Sequence, residues 1–166
     1  MQSLKFCLIF ISLIFSSVSY SLELPSTRTL LTVSGLISNT NKDSNAIFDR
    51  YMLDQLPRSS ISTHTPWNEG KHTYTGFNAQ EFFDLLGVEG ENLSLIALND
   101  YMIDIPVKDF TEVGAIFATH MDGVPMTVRN KGPIMIVYPF DDKPKLKNES
   151  YYGKSIWQVN QIVVNQ

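Results

Sequence analysis

Short runs of β-branched and apolar residues, separated by proline, glycine or Asp-Gly turns, recur along the chain from residue 29 onward. One of them, residues 134–138 (IMIVY), lies between Pro133 and Pro139, and its composition is typical of a buried strand. Further strands are predicted at residues 29–37, 59–65, 72–75, 93–98, 101–105, 115–120, 124–128 and 155–164. A sequence interrupted this often does not form a bundle of long helices, so a strand-rich fold is indicated.

Two segments of the sequence have helical spacing. Residues 46–56 place apolar side chains three to four positions apart, and Pro57 ends the pattern. Asn78 and Glu81 stand where a capping box would begin a second short helix, and Gly87 is a natural left-handed end for it. The sequence therefore predicts short helices between strands.

The Asp122-Gly123 pair is the strongest hairpin signal in the sequence, and the charge in residues 141–150 predicts a loop. Hydrophobic residues make up 43% of the chain and aromatic residues 11%, which is enough to build a core. We expect one α+β domain over residues 22–166, with a mixed or barrel-like β-sheet core and two or three short helices. The formal net charge of −4 provides no basic surface for nucleic acid.

The first 21 residues have the three-part pattern of a secretory signal peptide. Lys5 precedes an apolar run at residues 6–15, and small residues follow as far as Ser21. The run is too short for a bilayer core of about 30 Å. Cleavage after Ser19 or Ser21 is predicted, and the second gives a chain that starts at Leu22. We expect this chain to be periplasmic or secreted and not membrane-bound; the alternative is an uncleaved N-terminal anchor.

The only cysteine, Cys7, lies inside the predicted signal peptide. Residues 22–166 therefore contain no thiol. A disulfide, a thiolate nucleophile and a thiolate metal ligand are all excluded from this part of the chain.

Several segments of the sequence have the order and spacing that are found in a known protein family. They are residues 63–67 (THTPW), 74–77 (YTGF), 82–87 (FFDLLG), 97–101 (ALNDY), 105–107 (IPV), 118–126 (ATHMDGVPM), 131–139 (KGPIMIVYP) and 154–159 (KSIWQV). Through these segments the chain resembles the oxidoreductase molybdopterin-binding domain, the sulfite oxidase fold, in a short exported form. The resemblance covers nearly all of residues 28–164.

The resemblance implies a mixed β fold that holds a pterin carrying molybdenum, and with it an oxidoreductase activity. In that family a cysteine thiolate bonds the metal, whereas the corresponding neighbourhood here is residues 62–65 (STHT). Many relatives also have a lysine where this chain has Trp157, with Lys154 three residues earlier. We expect molybdopterin, or a similar planar anionic ligand, to bind without a cysteine ligand to the metal. The missing thiolate leaves catalysis open.

Candidate site residues follow from the resemblance and from side-chain chemistry. His64 is the candidate catalytic residue, because imidazole exchanges protons near neutral pH. Trp67 and Trp157 offer faces for stacking on a flat pterin. Arg129 and Lys131 form a short basic loop suited to an anion. The candidate cofactor-binding residues are Thr63, Thr65, Trp67, Asn99, Tyr101, His120, Arg129, Lys131 and Lys154.

Two other functions stay open on the sequence alone. A domain that has lost the metal would be a non-catalytic module, which binds a metabolite or docks a periplasmic protein partner through the same cleft. A third hypothesis is a zinc or copper site made by His64, His72 and His120, with one position left for water. For that site His120 must arrive from a distant strand, so the molybdopterin-like interpretation is preferred.

Overall fold

The computed structural model describes residues 22–166, which form two β-sheets and three short helices. The strands of the first sheet are β1 (Leu31–Gly35), β2 (Ala46–Phe48), β5 (Asn92–Ala97), β6 (Met102–Pro106) and β10 (Val159–Asn165). They lie in the order β2-β1-β10-β5-β6. Because β1 and β10 pair in parallel, the first and last strands lie side by side within the sheet.

The second sheet is antiparallel throughout. Its strands are β3 (Arg58–Thr65), β4 (Asn68–Phe77), β7 (Ile116–Met121), β8 (Val124–Pro125) and β9 (Met135–Val137). The β3–β4 hairpin extends to β7, which also pairs with β8 and β9. Asp122 and Gly123 both have positive φ and make the β7–β8 turn, as their sequence predicts.

Each of the three helices begins at a side chain that caps its first turn. The helices are α1 (Arg50–Gln55), α2 (Ala79–Leu86) and α3 (Glu149–Lys154). The side chain of Asn78 accepts a hydrogen bond from the Glu81 backbone N–H, and Gly87 ends α2 in the left-handed conformation. Both features of α2 were predicted, and the α+β fold class is confirmed.

The helix predicted for residues 46–56 from the spacing of their apolar side chains is shorter in the structure. Its first three residues form β2 instead, because they pair with β1 and bury alternate side chains. Asp49 then separates the strand from α1 and is itself buried. Its carboxylate accepts hydrogen bonds from the backbone N–H groups of Met52 and Thr27, at 3.0 and 2.9 Å. These bonds, Met52 first, lower the pKa of Asp49 to about 2.

Two C-terminal predictions also need correction. The segment 141–150 contains a 3₁₀ turn (Pro144–Leu146) and the first residues of α3, so it is not simply a charged loop. The last strand starts at Val159, four residues later than predicted, because residues 155–158 leave the sheet as a loop. Gln158 has a φ of +58° and turns the chain back into the strand.

Phenylalanines from the second sheet, α2 and the segment before β7 form the centre of the core. Phe117 stacks on Phe77 and Phe110, with ring centroids 5.0 and 4.4 Å apart. A side chain at Gly76 is excluded, since its Cβ would overlap the Phe117 carbonyl oxygen. Close approach of β4 and β7 therefore depends on this glycine.

Within residues 22–166 no helix has the length and apolar character needed to span a bilayer. The predicted signal peptide, residues 1–21, lies outside the described residues.

Candidate functional site

An aromatic cavity of about 310 Å³ opens at one end of the first sheet, beside β5. Two of its walls are tryptophans: the rings of Trp67 and Trp157 meet edge to face, with centroids 5.8 Å apart. Trp67 makes a second such contact with Tyr152, at 6.3 Å. The lining residues are Trp67, Ala97, Asn99, Tyr101, Tyr152, Gly153, Ser155, Ile156 and Trp157. We call this space the aromatic cavity.

Three chain segments build the aromatic cavity. The β3–β4 turn supplies Trp67. Its side chain packs against two separate clusters of buried apolar side chains in the core. The β5–β6 turn supplies Asn99 and Tyr101, and the Asn99 side chain accepts a hydrogen bond from the Tyr101 backbone N–H at 3.3 Å. The loop after α3 supplies Trp157. A backbone hydrogen bond from Leu98 N to Gln158 O, at 3.0 Å, joins the last two segments.

Lys131 brings positive charge to the edge of the aromatic cavity. Its Nζ atom lies 5.8 Å from the centroid of the Trp157 ring and donates a hydrogen bond to the side-chain oxygen of Asn68 at 2.8 Å. Asn68 in turn donates to the Tyr74 hydroxyl at 2.7 Å. This chain of hydrogen bonds fixes the lysine beside Trp157, although Lys131 is not itself a lining residue of the aromatic cavity.

Trp67 also carries a polar atom with no partner. Its indole Nε1 is buried and makes no hydrogen bond to any of residues 22–166. A buried donor left without a partner costs about 1–3 kcal/mol. A ligand with an acceptor atom at the right place would remove that cost.

Thr63, in the segment 62–65 where the resemblance puts the metal-bonding cysteine, is fully buried. Its hydroxyl donates to the His64 carbonyl oxygen at 3.3 Å and accepts from the Asp141 backbone N–H at 3.1 Å. The neighbouring Thr65 hydroxyl is also buried, 3.5 Å from the Tyr74 hydroxyl. Neither threonine lines the aromatic cavity. Both hydroxyls make hydrogen bonds within the fold, and their role as cofactor-binding groups stays a prediction.

His64 lies in an exposed charge cluster outside the aromatic cavity. Its Nδ1 is 2.8 Å from Asp141 Oδ2, and Lys147 Nζ is 3.0 Å from the other oxygen of the same carboxylate. Lys71 Nζ lies 3.8 Å from Asp141 Oδ2. The hydrogen bond from His64, followed by that from Lys147, holds the pKa of the Asp141 carboxyl well below its usual range. The geometry thus gives His64 an ion-pairing partner and does not bring it to the cavity.

The other two histidines lie apart, each with its own partners. His72 Nδ1 is 2.6 Å from Asp122 Oδ2, and its Nε2 is 2.8 Å from the Glu69 carbonyl oxygen. The Asp122 hydrogen bond raises the pKa of His72 above its ordinary value. Among residues 22–166 no group of three or more His, Cys, Asp or Glu side chains is placed to hold a metal ion.

His120 has a basic neighbour in place of an acidic one. Arg58 Nη1 lies 3.3 Å from its Nδ1 and the Thr119 hydroxyl lies 2.9 Å from the same atom. Because a guanidinium only donates, Nδ1 is the acceptor and the ring proton is on Nε2. Burial, and then the positive charge of Arg58, lower the pKa of His120. His120 does not line the aromatic cavity.

Lys154 and Arg129 also lie outside the aromatic cavity. Lys154 Nζ pairs with the buried carboxylate of Asp109 at 2.8 Å, and the Tyr138 hydroxyl donates to the same oxygen at 2.8 Å. This pair ties α3 to the π-helical turn Asp109–Val113. Arg129 is exposed on a 3₁₀ turn. Of the predicted set, the structure therefore gathers Trp67, Asn99, Tyr101 and, at the edge, Lys131.

Sequence reasoning missed Tyr152 and Ile156 as lining residues. Tyr152 belongs to α3, whose start lies in the segment predicted to be a loop, and Ile156 was assigned to a strand. The one local signal for α3 is Asn148, which caps it by accepting hydrogen bonds from the backbone N–H groups of Ser150 and Tyr151.

Comparison with known proteins supports the fold. No protein-family model matches the chain, and no curated protein sequence matches it either. Among solved structures it is similar to the sulfane dehydrogenase SoxCD from Paracoccus pantotrophus, with a TM-score of 0.60 and 15% sequence identity. The match covers 81% of this chain and 37% of that chain. The α+β, sulfite oxidase-like fold expected from the resemblance is thereby confirmed, as a fold alone.

Proposed function

We propose that this domain binds a planar, negatively charged heterocycle of the pterin class in the aromatic cavity. The observation that carries the proposal is the meeting of Trp67 and Trp157 in the wall of one cavity, with Tyr101 and Tyr152 beside them. Aromatic side chains offer flat apolar faces and polarised edges, which suit a ligand that is itself flat and aromatic.

Charge and hydrogen bonding in the cavity agree with such a ligand. None of the lining residues is a carboxylate, whereas Lys131 lies at the edge beside Trp157. Asn99 keeps its side-chain NH2 group as a donor, and the Ser155 hydroxyl, which donates to the Tyr151 carbonyl oxygen at 2.9 Å, can still accept. Trp67, a third lining residue, carries an unpartnered N–H. A pterin carries both ring donors and ring acceptors, so these groups are of the kind that would orient it.

The metal half of molybdopterin fits this chain poorly. A cysteine thiol is absent from residues 22–166, and the buried hydroxyl of Thr63 is used by the backbone of His64 and Asp141. A neutral hydroxyl is not a substitute for a thiolate as a soft ligand. We therefore propose ligand binding by this domain and derive no redox step for it.

Docking of a protein partner is the second candidate, and the mouth of the cavity favours it. Tyr101 and Trp157, which line the aromatic cavity, are 49% and 40% exposed. Exposed apolar side chains grouped in this way are typical of interaction surfaces. A bound ligand and a docked partner would compete for Tyr101 and Trp157.

We also propose that the domain works after export. The support is the pattern of residues 1–21, with Lys5, a short apolar run and small residues ending at Ser21. Expression of the full chain, followed by fractionation and N-terminal sequencing, tests this proposal. A mature chain in the periplasmic fraction that begins at Tyr20 or Leu22 supports it, and a cytoplasmic chain that retains Met1 contradicts it.

Calorimetric titration with 6-carboxypterin tests ligand binding. We expect Trp157→Ala to weaken binding about tenfold, since it removes one aromatic wall. Tyr51→Ala is the matched control, because Tyr51 is an equally aromatic side chain, 66% exposed, that does not line the cavity. Lys131→Gln should weaken binding of the carboxylate, whereas the exposed Lys145→Gln should not. Equal losses in the paired variants, or no binding to the wild type, would overturn the proposal.

A further inference from the structure

A second cleft, of about 480 Å³, shares no lining residue with the aromatic cavity. It lies where the starts of β1 and β10 meet the first residue of α1 and the segment after β8. Its lining residues are Arg28, Thr29, Leu30, Thr32, Arg50, Leu98, Met126, Thr127, Val128, Pro133, Asn160 and Gln161. We call it the arginine cleft.

The lining of the arginine cleft is positively charged although the chain is acidic overall. It contains two arginines, Arg28 and Arg50, and no aspartate or glutamate, whereas the whole chain has a net charge of −4. The carboxylate next in sequence, Asp49, is buried and accepts hydrogen bonds from Ser26, Thr27 and Met52. Asp49 thus has its own partners, and the two guanidinium groups stay charged at physiological pH.

Two buried polar atoms of the arginine cleft are unsatisfied. Arg50 Nη1, a donor, and Asn160 Oδ1, an acceptor, make no hydrogen bond within residues 22–166. Buried polar atoms are almost always bonded, so an unpaired donor and an unpaired acceptor on two residues that line one cleft favour a ligand that supplies both partners. The partner that suits both has an anionic acceptor and a separate hydroxyl or amide donor.

Apolar side chains complete the lining. Leu30, Leu98, Met126, Val128 and Pro133 all face the same cleft. These side chains suit the uncharged, apolar part of a ligand, and the two arginines suit a negatively charged group at one end of it. We propose that the arginine cleft binds a small organic anion: a carboxylate or a phosphate monoester with an apolar body and a hydrogen-bond donor. This site is independent of the aromatic cavity.

Methyl NMR of the full chain tests the proposal, with Met126 and Leu98 as reporters. Mandelate has a carboxylate, a neighbouring hydroxyl and an apolar ring, so we expect it to shift both methyl signals. Mandelamide lacks the charge and phenylacetate lacks the hydroxyl donor, and each should bind more weakly. Phenyl phosphate, like phenylacetate, lacks the hydroxyl, so the tighter of these two identifies the acid group that the cleft prefers.

Three variants make the test specific. Arg50→Gln removes one of the two positive charges, and Asn160→Asp adds a negative charge of the same side-chain shape to the lining, where it repels an anionic ligand. Each should weaken mandelate binding about tenfold. Arg58→Gln, which neutralises an arginine outside the lining, should change binding less than about twofold. Thermal unfolding checks that each variant is folded.

Three results would overturn the proposal. The first is that neither mandelate nor phenyl phosphate moves the Met126 and Leu98 signals. The second is that mandelamide binds as well as mandelate. The third is that Arg58→Gln weakens binding as much as Arg50→Gln, which would show a general charge effect. None of these results bears on pterin binding at Trp157, so the two proposals fail separately.

Discussion

The indole rings of Trp67 and Trp157 meet at an interplanar angle of 79°, with their centroids 5.8 Å apart. They are the two tryptophans of the chain, and both line the aromatic cavity. One belongs to the β3–β4 turn and the other to the loop before β10, so the contact joins the two sheets. The indole signals of this protein therefore report on one site.

Burial of Thr63 predicts how a cysteine at that position would behave. In a Cys7→Ser background, Thr63→Cys would carry the chain's only thiol, at a position that is fully buried. We expect this thiol to react with a disulfide reagent only as fast as the protein opens. Ser62→Cys, at the exposed neighbouring position, should react at the rate of a free thiol. Rapid reaction of both would contradict the account of a closed Thr63 site.

The ion pair of Lys154 with Asp109 predicts a large loss of stability when the lysine is removed. Lys154→Met leaves the Asp109 carboxylate buried, with the Tyr138 hydroxyl as its remaining side-chain partner. We expect a loss of about 3 kcal/mol in the free energy of unfolding, measured by urea denaturation. Lys145→Met, at an exposed position, should change it by about 0.5 kcal/mol or less. Equal effects of the two substitutions would show that the pair has no stabilising role.

The lowered pKa of Asp49 predicts a decline of stability in acid. A carboxyl whose folded pKa lies below its unfolded value stabilises the fold above the unfolded value, and this contribution is lost as pH falls through the folded pKa. For Asp49 the window runs from about pH 4 down to about pH 2. Asp49→Asn should be less stable than wild type at pH 7, with the difference narrowing through this window. A difference that is constant from pH 7 to about pH 2 would contradict the prediction.

His72 and His120 have neighbours of opposite charge, and this predicts the order in which the two histidines titrate. Asp122 raises the pKa of His72, whereas burial and Arg58 lower that of His120. His72 should therefore protonate at the higher pH in an NMR titration, with signals assigned through His72→Gln and His120→Gln. Because the folded pKa of His72 is raised, its pairing stabilises the fold below about pH 6.5, and this contribution is lost as pH rises through the raised pKa. The reverse order would contradict both contacts.

Sequence patterns correctly predicted those elements of structure that depend on interactions between residues close together in the chain. Asn78 and Gly87 bracket α2, and Asp122-Gly123 makes a hairpin turn, because capping and turn geometry depend on neighbouring residues. The helix predicted from residue 46 fails for the opposite reason. Pairing of β2 with β1 takes its first three residues, and helical spacing alone does not show that pairing.

In the candidate site, too, some of the expected residues come together and others do not. Trp67, Asn99 and Tyr101 lie in segments that carry the resemblance, and all three line one cavity. His64 and Lys154 were expected there too, but their carboxylate partners lie 77 and 45 residues away in sequence. Contacts of that range depend on how the sheets pack, so no pattern within a segment predicts them.

NMR of the two indole N–H groups tests the central claim most directly. Trp67→Phe and Trp157→Phe assign the two signals, and 6-carboxypterin is then titrated into the wild-type protein. If the aromatic cavity binds this ligand, both indole signals shift together and saturate, and the Trp67 signal moves toward that of a hydrogen-bonded N–H. If both signals stay unmoved while 6-carboxypterin is in large excess, the cavity between Trp67 and Trp157 is not a pterin site.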